Sequence, residues 1–237
     1  MIERRGERLK AGPWRGDPLV AHLTPVPGSP TPSADFVRHC LDTLARSGYR
    51  RAVTGALAPA EQAGYRMAGF VVTEDLHLLS HDLSSVGLAG FSRVALHRPP
   101  PREWEQVLAV DTLAFDPFWR LDDAGLVDAL GSTPHARFRA ASWSAGTGRT
   151  SIVGYAITGR AGKRGYLQRL AVHPDHQGQG MGQALVMDGL RWLRRWRVEH
   201  AMVNTQLQNA RALALYEHLG FRREQNGLSV LGMELDR

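Results

Sequence analysis

Apolar residues recur along this chain at two periods, and the switches between them mark its elements. Phe36, Val37, Cys40, Leu41 and Leu44 keep the three-to-four spacing of one helix face, with Ser33 where an N-cap is wanted and Gly48 where a left-handed ending is wanted. Arg51–Leu57 then reads as a strand, Ala60–Met67 as a helix closed by Gly69, and Phe70–Leu79 as an apolar strand. A short strand about Arg93–His97 precedes Pro99-Pro100-Pro101, after which Trp104, Val107, Leu108 and Leu113 mark a helix. That helix breaks at Ala114–Arg120, and Leu121–Leu130 gives a shorter one. Arg137–Trp143 and Ile152–Thr158 alternate as paired antiparallel strands joined by a turn at 144–150, and the turn Arg160–Gly165 leads into a strand from Tyr166 to Val172. A helix through Leu185, Leu190 and Leu193, a strand at Ala201–Gln206 and a helix carrying Ala212, Leu215, Tyr216 and Leu219 follow, the last ended by Gly220. Phe221–Arg223 and Leu228–Leu235 read as a closing pair of strands. Residues 1–33 hold six prolines and no sustained period, which predicts an irregular lead-in with at most a short strand near Leu19–Leu23.

Part of this series occurs twice. Helix, strand, helix, Gly-Phe, strand runs from residue 34 and again from Leu190, with Ala52-Val53-Thr54 beside Val203-Asn204-Thr205 and Tyr65…Gly69-Phe70 beside Tyr216…Gly220-Phe221. A repeat of this length argues for duplication. The expected organisation is a lead-in at 1–33, a degenerate half repeat at 34–90 and a complete domain at 92–237, of mixed α/β (α+β) class.

Composition narrows the partners. With 237 residues, 43% hydrophobic and 22% charged, the chain suits one large globular domain or two small ones. There is no apolar run of bilayer length and no apolar core behind the charged start MIERRGERLK, so neither a membrane helix nor a signal peptide is expected. Cys40 is the single cysteine, which rules out an intrachain disulfide or a cysteine metal site and suits a reducing cytoplasm. The net charge of +6 rests on arginine. Arg191, Arg194, Arg195 and Arg197 alternate with Trp192, Leu193 and Trp196 at helical spacing, the pattern of a solvated amphipathic face rather than a nucleic-acid site. The same charge attracts a polyanionic ligand.

The stretch from Tyr166 to Met187 points to such a ligand. Strand, glycine-rich turn with Gly178, Gly180 and Gly182, then helix: this leaves backbone N–H groups free at the positive end of a helix dipole, a site for phosphate or pyrophosphate. A P-loop is excluded because Gln183-Ala184 follow the glycines, and a dinucleotide fingerprint because the third glycine comes one residue early. His173 and His176 lie three apart in the turn with no third ligand in the pattern, so no metal site is expected.

Gln177-x-x-Gly180-x-Gly182 resembles the acyl-coenzyme A pyrophosphate loop of the GNAT N-acetyltransferase superfamily. Asn209-x-x-Ala212-x-x-Leu215-Tyr216-x-x-Leu219-Gly220-Phe221 resembles the other half of its signature, in the form seen in ribosomal-protein N-terminal acetyltransferases. The resemblance covers about Arg93 to Arg237 and implies a GNAT fold preceded by a truncated GNAT-like repeat lacking the loop. It also implies an enzyme that uses acetyl-CoA as co-substrate and moves the acetyl group to a primary amine, on a peptide or small molecule, by direct attack on the thioester. Gln177, Gly178, Gln179, Gly180, Met181, Gly182 and Gln183 would then hold the pyrophosphate. The main chain of Leu170, Ala171 and Val172 would pair with pantetheine, with an amide near Val172 polarising the thioester carbonyl. Asn209 would contact the cofactor and Tyr216 would protonate the leaving thiolate. Phe118 and Trp119 would belong to the acceptor wall, with Asn204 and Gln206 pointing at the acceptor.

One departure stands out. Where many relatives carry a glutamate base, this chain has Tyr166 and Asn204, neither of which can act as a carboxylate. That favours an acceptor that loses its proton readily, since an α-amino group titrates near 8 and lysine above 10. It also leaves a second class open, a regulatory protein that binds acyl-CoA without turnover.

Overall fold

The computed structural model describes residues 1–26, 28–87, 94–144 and 150–235. Its strands and α-helices in chain order are β1 (Ile2–Arg4), β2 (Glu7–Trp14), β3 (Asp17–Pro25), α1 (Ala34–Arg46), β4 (Arg51–Leu57), α2 (Ala63–Met67), β5 (Val71–His81), β6 (Leu96–His97), α3 (Trp104–Ala114), α4 (Asp123–Gly131), β7 (His135–Ser144), β8 (Thr150–Ala161), β9 (Arg164–Val172), α5 (Met181–Arg195), β10 (His200–Gln206), α6 (Ala210–His218), β11 (Arg222–Arg223) and β12 (Leu228–Glu234). From β6 onward the order β, α, α, β, β, β, α, β, α, β, β is the one expected from the pattern. The turn placed at 144–150 and the strand start at Arg93 fall largely outside the described residues.

The chain divides into two compact units. The first comprises Met1–Leu78, Asn204–Ala210 and Glu224–Arg237. Its strands lie in the order β1-β2-β3-β4-β12-β5, antiparallel except for the parallel pair β3–β4. The reading of residues 1–33 as irregular is corrected here. Two hairpins run through the segment, each turned by an Arg-Gly pair: Arg5 and Gly6 have φ of 52° and 83°, Arg15 and Gly16 of 48° and 79°. Positive φ at both central residues is the I′ geometry that matches the strands' twist. Pro13 stands opposite Ala21 at the end of the regular β2–β3 register, which shifts directly after it, between Pro13 and Trp14. Helix α1 buries the five residues its spacing named, and the Ser33 hydroxyl accepts from the Phe36 N–H at 3.3 Å.

The closing pair is also corrected. Among the described residues β11 and β12 do not pair with each other: β12 lies between β4 and β5 in the first unit, and β11 pairs with Leu79 and Ser80 of β5. The first unit therefore draws a central strand from the far end of the sequence.

The second unit comprises Leu79–Val203 and Arg211–Arg223. Its strands run β10-β9-β8-β7-β6, antiparallel except where β10 meets β9. Val107, Val110 and Leu126 of α3 and α4 pack with Phe138, Tyr155, Ile157 and Ala171 in one cluster. Met181 and Leu185 of α5 pack with Ala141, Val153 and Ala156 in another, and Val186, Leu190 and Leu193 with Tyr216 and Phe221 in a third.

The repeated helix endings have one geometry. Phe70 N–H donates to Tyr65 O at 3.1 Å and Phe221 N–H to Tyr216 O at 3.0 Å, with Gly69 and Gly220 at φ of 104° and 92°. These are the left-handed closures that glycine allows, and in each the tyrosine and phenylalanine rings lie within 6 Å, at 5.5 and 5.7 Å.

Candidate functional site

The site is built on β9 and the helix that follows it. The ladder between β9 and β10 covers Arg164–Tyr166 against His200–Met202, and among the described residues none joins Leu167–Val172 to β10. The His173 N–H donates to Val153 O of β8 at 2.8 Å. Strand alternation then turns the backbone of Val172 and Leu170 away from β8, toward the open edge. The Val172 carbonyl is taken by the Gln177 side-chain amide at 3.1 Å, which leaves its N–H for another partner. Between Ile157 and Thr158 the β8–β9 register shifts, so that Gln168 is an extra residue in β9.

After β9 the chain makes a 3-10 turn over Pro174–His176 and enters α5 through Gly180, whose φ of 82° and ψ of 0° are left-handed. Gly178 is left-handed too, at 77°. The first intrahelical bond is Ala184 N–H to Gly180 O at 2.9 Å. The N–H groups of Met181, Gly182 and Gln183 thus have no intrahelical acceptor, and a glycine N-cap supplies no side chain for them. Gly182 differs from the expected loop residue. It lies in the first turn of α5, and its bareness is steric: a Cβ there would lie 3.1 Å from Leu215 Cδ2 of α6. Met181 contributes only its backbone, because its side chain is in the core. The Gln179 side chain donates to Asp175 O at 3.2 Å, bracing the turn.

Leu215 against Gly182 brings α6 onto the first turn of α5, and its neighbour Tyr216 packs in the cluster that takes in Leu167 and Leu170 of β9. Tyr216 is buried, and burial pushes its phenol well above the ordinary range. The hydroxyl is protonated at neutral pH, a proton donor and not a base.

The segment carrying Phe118 and Trp119 is held by a buried network the sequence pattern did not disclose. Asp111 of α3 is fully buried; Arg169 of β9 donates to it through Nε and a terminal nitrogen at 2.8 and 2.9 Å and also donates to Trp119 O at 2.7 Å. Asp111 accepts further bonds from Leu121 N–H at 2.7 Å and from the Tyr155 hydroxyl, and the Arg169 guanidinium lies 3.4 Å from the Phe115 ring centroid. Burial pushes the Tyr155 phenol up. Phe118 and Trp119, in a 3-10 turn, meet edge to face at 5.2 Å and are half-buried. The available signal was an aspartate within the apolar positions of α3 and an arginine on the buried parity of β9.

Tyr166 is half-buried on β9, with no carboxylate in its place. Asn204, Gln206 and Asn209 belong to the first unit, where Asn204 is exposed and the other two half-buried. His173 and His176 have ring centroids 5.6 Å apart; among the described residues no group of three or more His, Cys, Asp or Glu could hold a metal ion.

At the corresponding place in the first unit a carboxylate of the same chain meets the helix start. Glu7 accepts from both the Ser33 N–H, at 2.5 Å, and the Ser33 hydroxyl, at 3.0 Å, at the start of α1. A Cβ on Gly64, which precedes Tyr65 as Leu215 precedes Tyr216, would lie 1.9 Å from Pro32 O. The α1 start thus bears a carboxylate of its own, a negative charge that disfavours a further anion there.

The family model for the acetyltransferase (GNAT) family matches residues 102–221, about half of the chain and every site residue from Asp111 to Tyr216. The chain belongs to the GNAT acetyltransferase family. Over 134 residues, 52% of the chain, it is 33% identical to 43% of the mycothiol acetyltransferase of Saccharomonospora viridis. Over 60 residues, 25% of the chain, it is 37% identical to 34% of the N-alpha-acetyltransferase 30 of Saccharomyces cerevisiae. The chain spans less than half the length of these curated relatives. Among solved structures, a tandem GNAT protein from the clavulanic acid biosynthesis pathway aligns over 92% of this chain and 76% of its own, at a TM-score of 0.64 and 14% identity. At that identity the likeness concerns the fold, and it extends the GNAT fold across the N-terminal repeat as well. No helix among the described residues is long and apolar enough to cross a membrane.

Proposed function

We propose that this GNAT protein transfers the acetyl group of acetyl-CoA to a primary amine, with an α-amino group the favoured acceptor, by direct attack of the amine on the thioester. The observation that carries the proposal is the pairing of an uncapped, glycine-entered α5 N-terminus with the open edge of β9 alongside it. The N–H groups of Met181, Gly182 and Gln183 hold the pyrophosphate, with Gly178 and Gly180 letting the chain turn and Gln177 and Gln179 bracing it. The edge of Leu170–Val172 takes the pantetheine as an added strand, and the Val172 N–H polarises the thioester carbonyl where negative charge develops. The neutral amine attacks to form the C–N bond, the tetrahedral adduct expels the CoA thiolate as its nitrogen loses a proton to water, and Tyr216 gives a proton to the sulfur and regains one from solvent. Asn209 adds a contact to the cofactor; Phe118, Trp119, Asn204 and Gln206 face the acceptor.

Two supports favour an α-amine. Neither Tyr166 nor Asn204 is a carboxylate, so the nucleophile must lose its proton without a strong base, easier for a group titrating near 8 than for lysine. One relative is by its name an N-alpha-acetyltransferase. The missing carboxylate is also the one observation favouring a second reading, acyl-CoA binding without turnover. Purified protein incubated with isotope-labelled acetyl-CoA and a cell lysate, followed by mass spectrometry, separates the two. The expected result is label on α-amino groups; label on lysine Nζ alone overturns the acceptor class, and CoA binding without label on any amine establishes the second reading.

A further inference from the structure

Beyond the first turns of α5 lies a cavity of about 770 Å³, in the size range of small-molecule sites, that the acetyl-transfer scheme does not use. Three guanidinium groups line it: Arg98 after β6, and Arg137 and Arg139 two apart on β7. Against them stands one carboxylate, Asp188 of α5. Arg137 grips it in fork geometry at 2.6 and 2.8 Å, and Arg139 approaches it only to 3.8 Å. Three positive charges in the lining against the one carboxylate behind them leave an excess of two. Burial, and after it the charge of Arg137, holds the Arg139 guanidinium below its ordinary value, against the opposing pull of Asp188 and with a smaller push from Arg98. Among the described residues Arg98 forms no ion pair.

The rest of the lining is apolar and aromatic. Trp104 and Phe138 meet at 6.5 Å between ring centroids, Trp192 joins them from α5, and Pro99–Pro101 close one wall. Trp104 lends its ring to the wall, while its Nε1 is buried away from the cavity. Among the described residues β6 pairs with β7 only at Ala140 and Ala141, and none pairs with the stretch from His135 to Arg139 on that side, beside the cavity.

We propose that this cavity binds a small organic anion, a carboxylate or phosphate head on an aromatic body, with Arg98 and Arg139 on the head and Trp104, Phe138 and Trp192 around the body. Guanidinium forks match planar carboxylate and tetrahedral phosphate oxygens, and their faces stack on rings. Asp188 and Trp192 follow Met181 by seven and eleven residues, which at 1.5 Å per residue sets the site about 10–16 Å along α5 from the pyrophosphate end. Occupancy is therefore compatible with bound CoA, and the proposal stands or falls independently of the acetyl-transfer reading.

The test is titration of the full chain, with saturating CoA present, by phenyl phosphate and benzoate, with inorganic phosphate and benzyl alcohol as the two halves of the probe. Calorimetry and tryptophan fluorescence are the readouts, since Trp104 and Trp192 line the site. The expected result is saturable one-to-one binding of phenyl phosphate or benzoate, weaker binding of inorganic phosphate and none of benzyl alcohol. Arg139→Gln and Arg98→Gln each weaken it roughly tenfold or more, as loss of a charged hydrogen bond does. Both leave the Arg137–Asp188 fork intact, and circular dichroism establishes that they fold. Absence of saturable binding at millimolar probe overturns the proposal, as does binding that both folded variants retain at full strength.

Discussion

Removing the carboxylate of Asp111 tests whether the buried network at β9 is what holds the Phe118–Trp119 segment in place. Asp111 is fully buried and Arg169 9% exposed, so Asp111→Ala strands a guanidinium whose remaining recorded acceptor is Trp119 O, and it leaves the Leu121 N–H without its acceptor. Breaking a buried pair from one side costs about 3–5 kcal/mol, far above the ~0.2–1 kcal/mol of an exposed pair. In a protein of this size about 2–4 °C of Tm accompanies each kcal/mol, so Tm falls by roughly 6–20 °C. Replacing both partners, Asp111→Leu with Arg169→Met, removes charge and counter-charge together and costs about 1–3 kcal/mol less than the sum of the two single changes. Urea unfolding of the wild type, the two single variants and the double variant closes the cycle. Activity adds a second axis: a loosened acceptor wall raises KM for the amine with little change in KM for acetyl-CoA. A single variant that loses less than about 1 kcal/mol, or additivity around the cycle, refutes the reasoning.

Four further outcomes follow from the two helix starts and the neighbourhood of α6. CoA raises the Tm of the wild type by mass action, and Gly180→Glu or Gly182→Glu abolishes the rise by putting a side chain and negative charge at the α5 N-terminus; an undiminished rise in a folded variant removes the loop from the site. Calorimetry gives one CoA per chain, because Glu7 and Ser33 occupy the α1 start; two would show the first copy to be open. Tyr216→Phe lowers kcat by about 10²–10⁴-fold at nearly unchanged CoA affinity, whereas wild-type turnover would restrict the ring to packing. His81 is buried, its Nδ1 accepts the Leu83 N–H at 2.8 Å, and burial lowers its pKa below the usual 6.5. The unfolded chain then takes the proton first, so stability is full above about pH 6.5 and declines as pH falls from there toward the folded pKa; His81→Gln flattens that part of a Tm-against-pH curve, and an unflattened curve would assign the decline to other groups.

Local physics made most of the elements legible in the chain itself. The α1 face, its Ser33 cap, the Gly69 and Gly220 closures, the entry to α5 and the order of elements from β6 onward all follow from interactions within a few residues, which periodicity and the conformational freedom of glycine record directly. Residues 1–33 carry six prolines that hide the strand pattern, and two Arg-Gly pairs with positive φ at both residues set both hairpins.

The rest depended on contacts between distant residues. Strand pairing is a choice among partners, and nothing in Leu228–Glu234 states that it will lie between β4 and β5 of the first unit rather than beside β11. Gly182 reads as one more loop glycine until Leu215 occupies the space its Cβ would need. Glu7 gives no sign of bonding Ser33, 26 residues away, yet that bond closes one helix start while Gly180 leaves the other open. Asp111, Tyr155 and Arg169 are separately unremarkable in sequence and become one site only when α3, β8 and β9 bury them together, because a buried charge is tolerated only with its partner in place. Sequence determined what each segment could form and the chemistry the glycine loop could support; the tertiary structure decided which distant groups meet, and through Glu7 and Ser33 which of two similar helix starts is capped by a carboxylate.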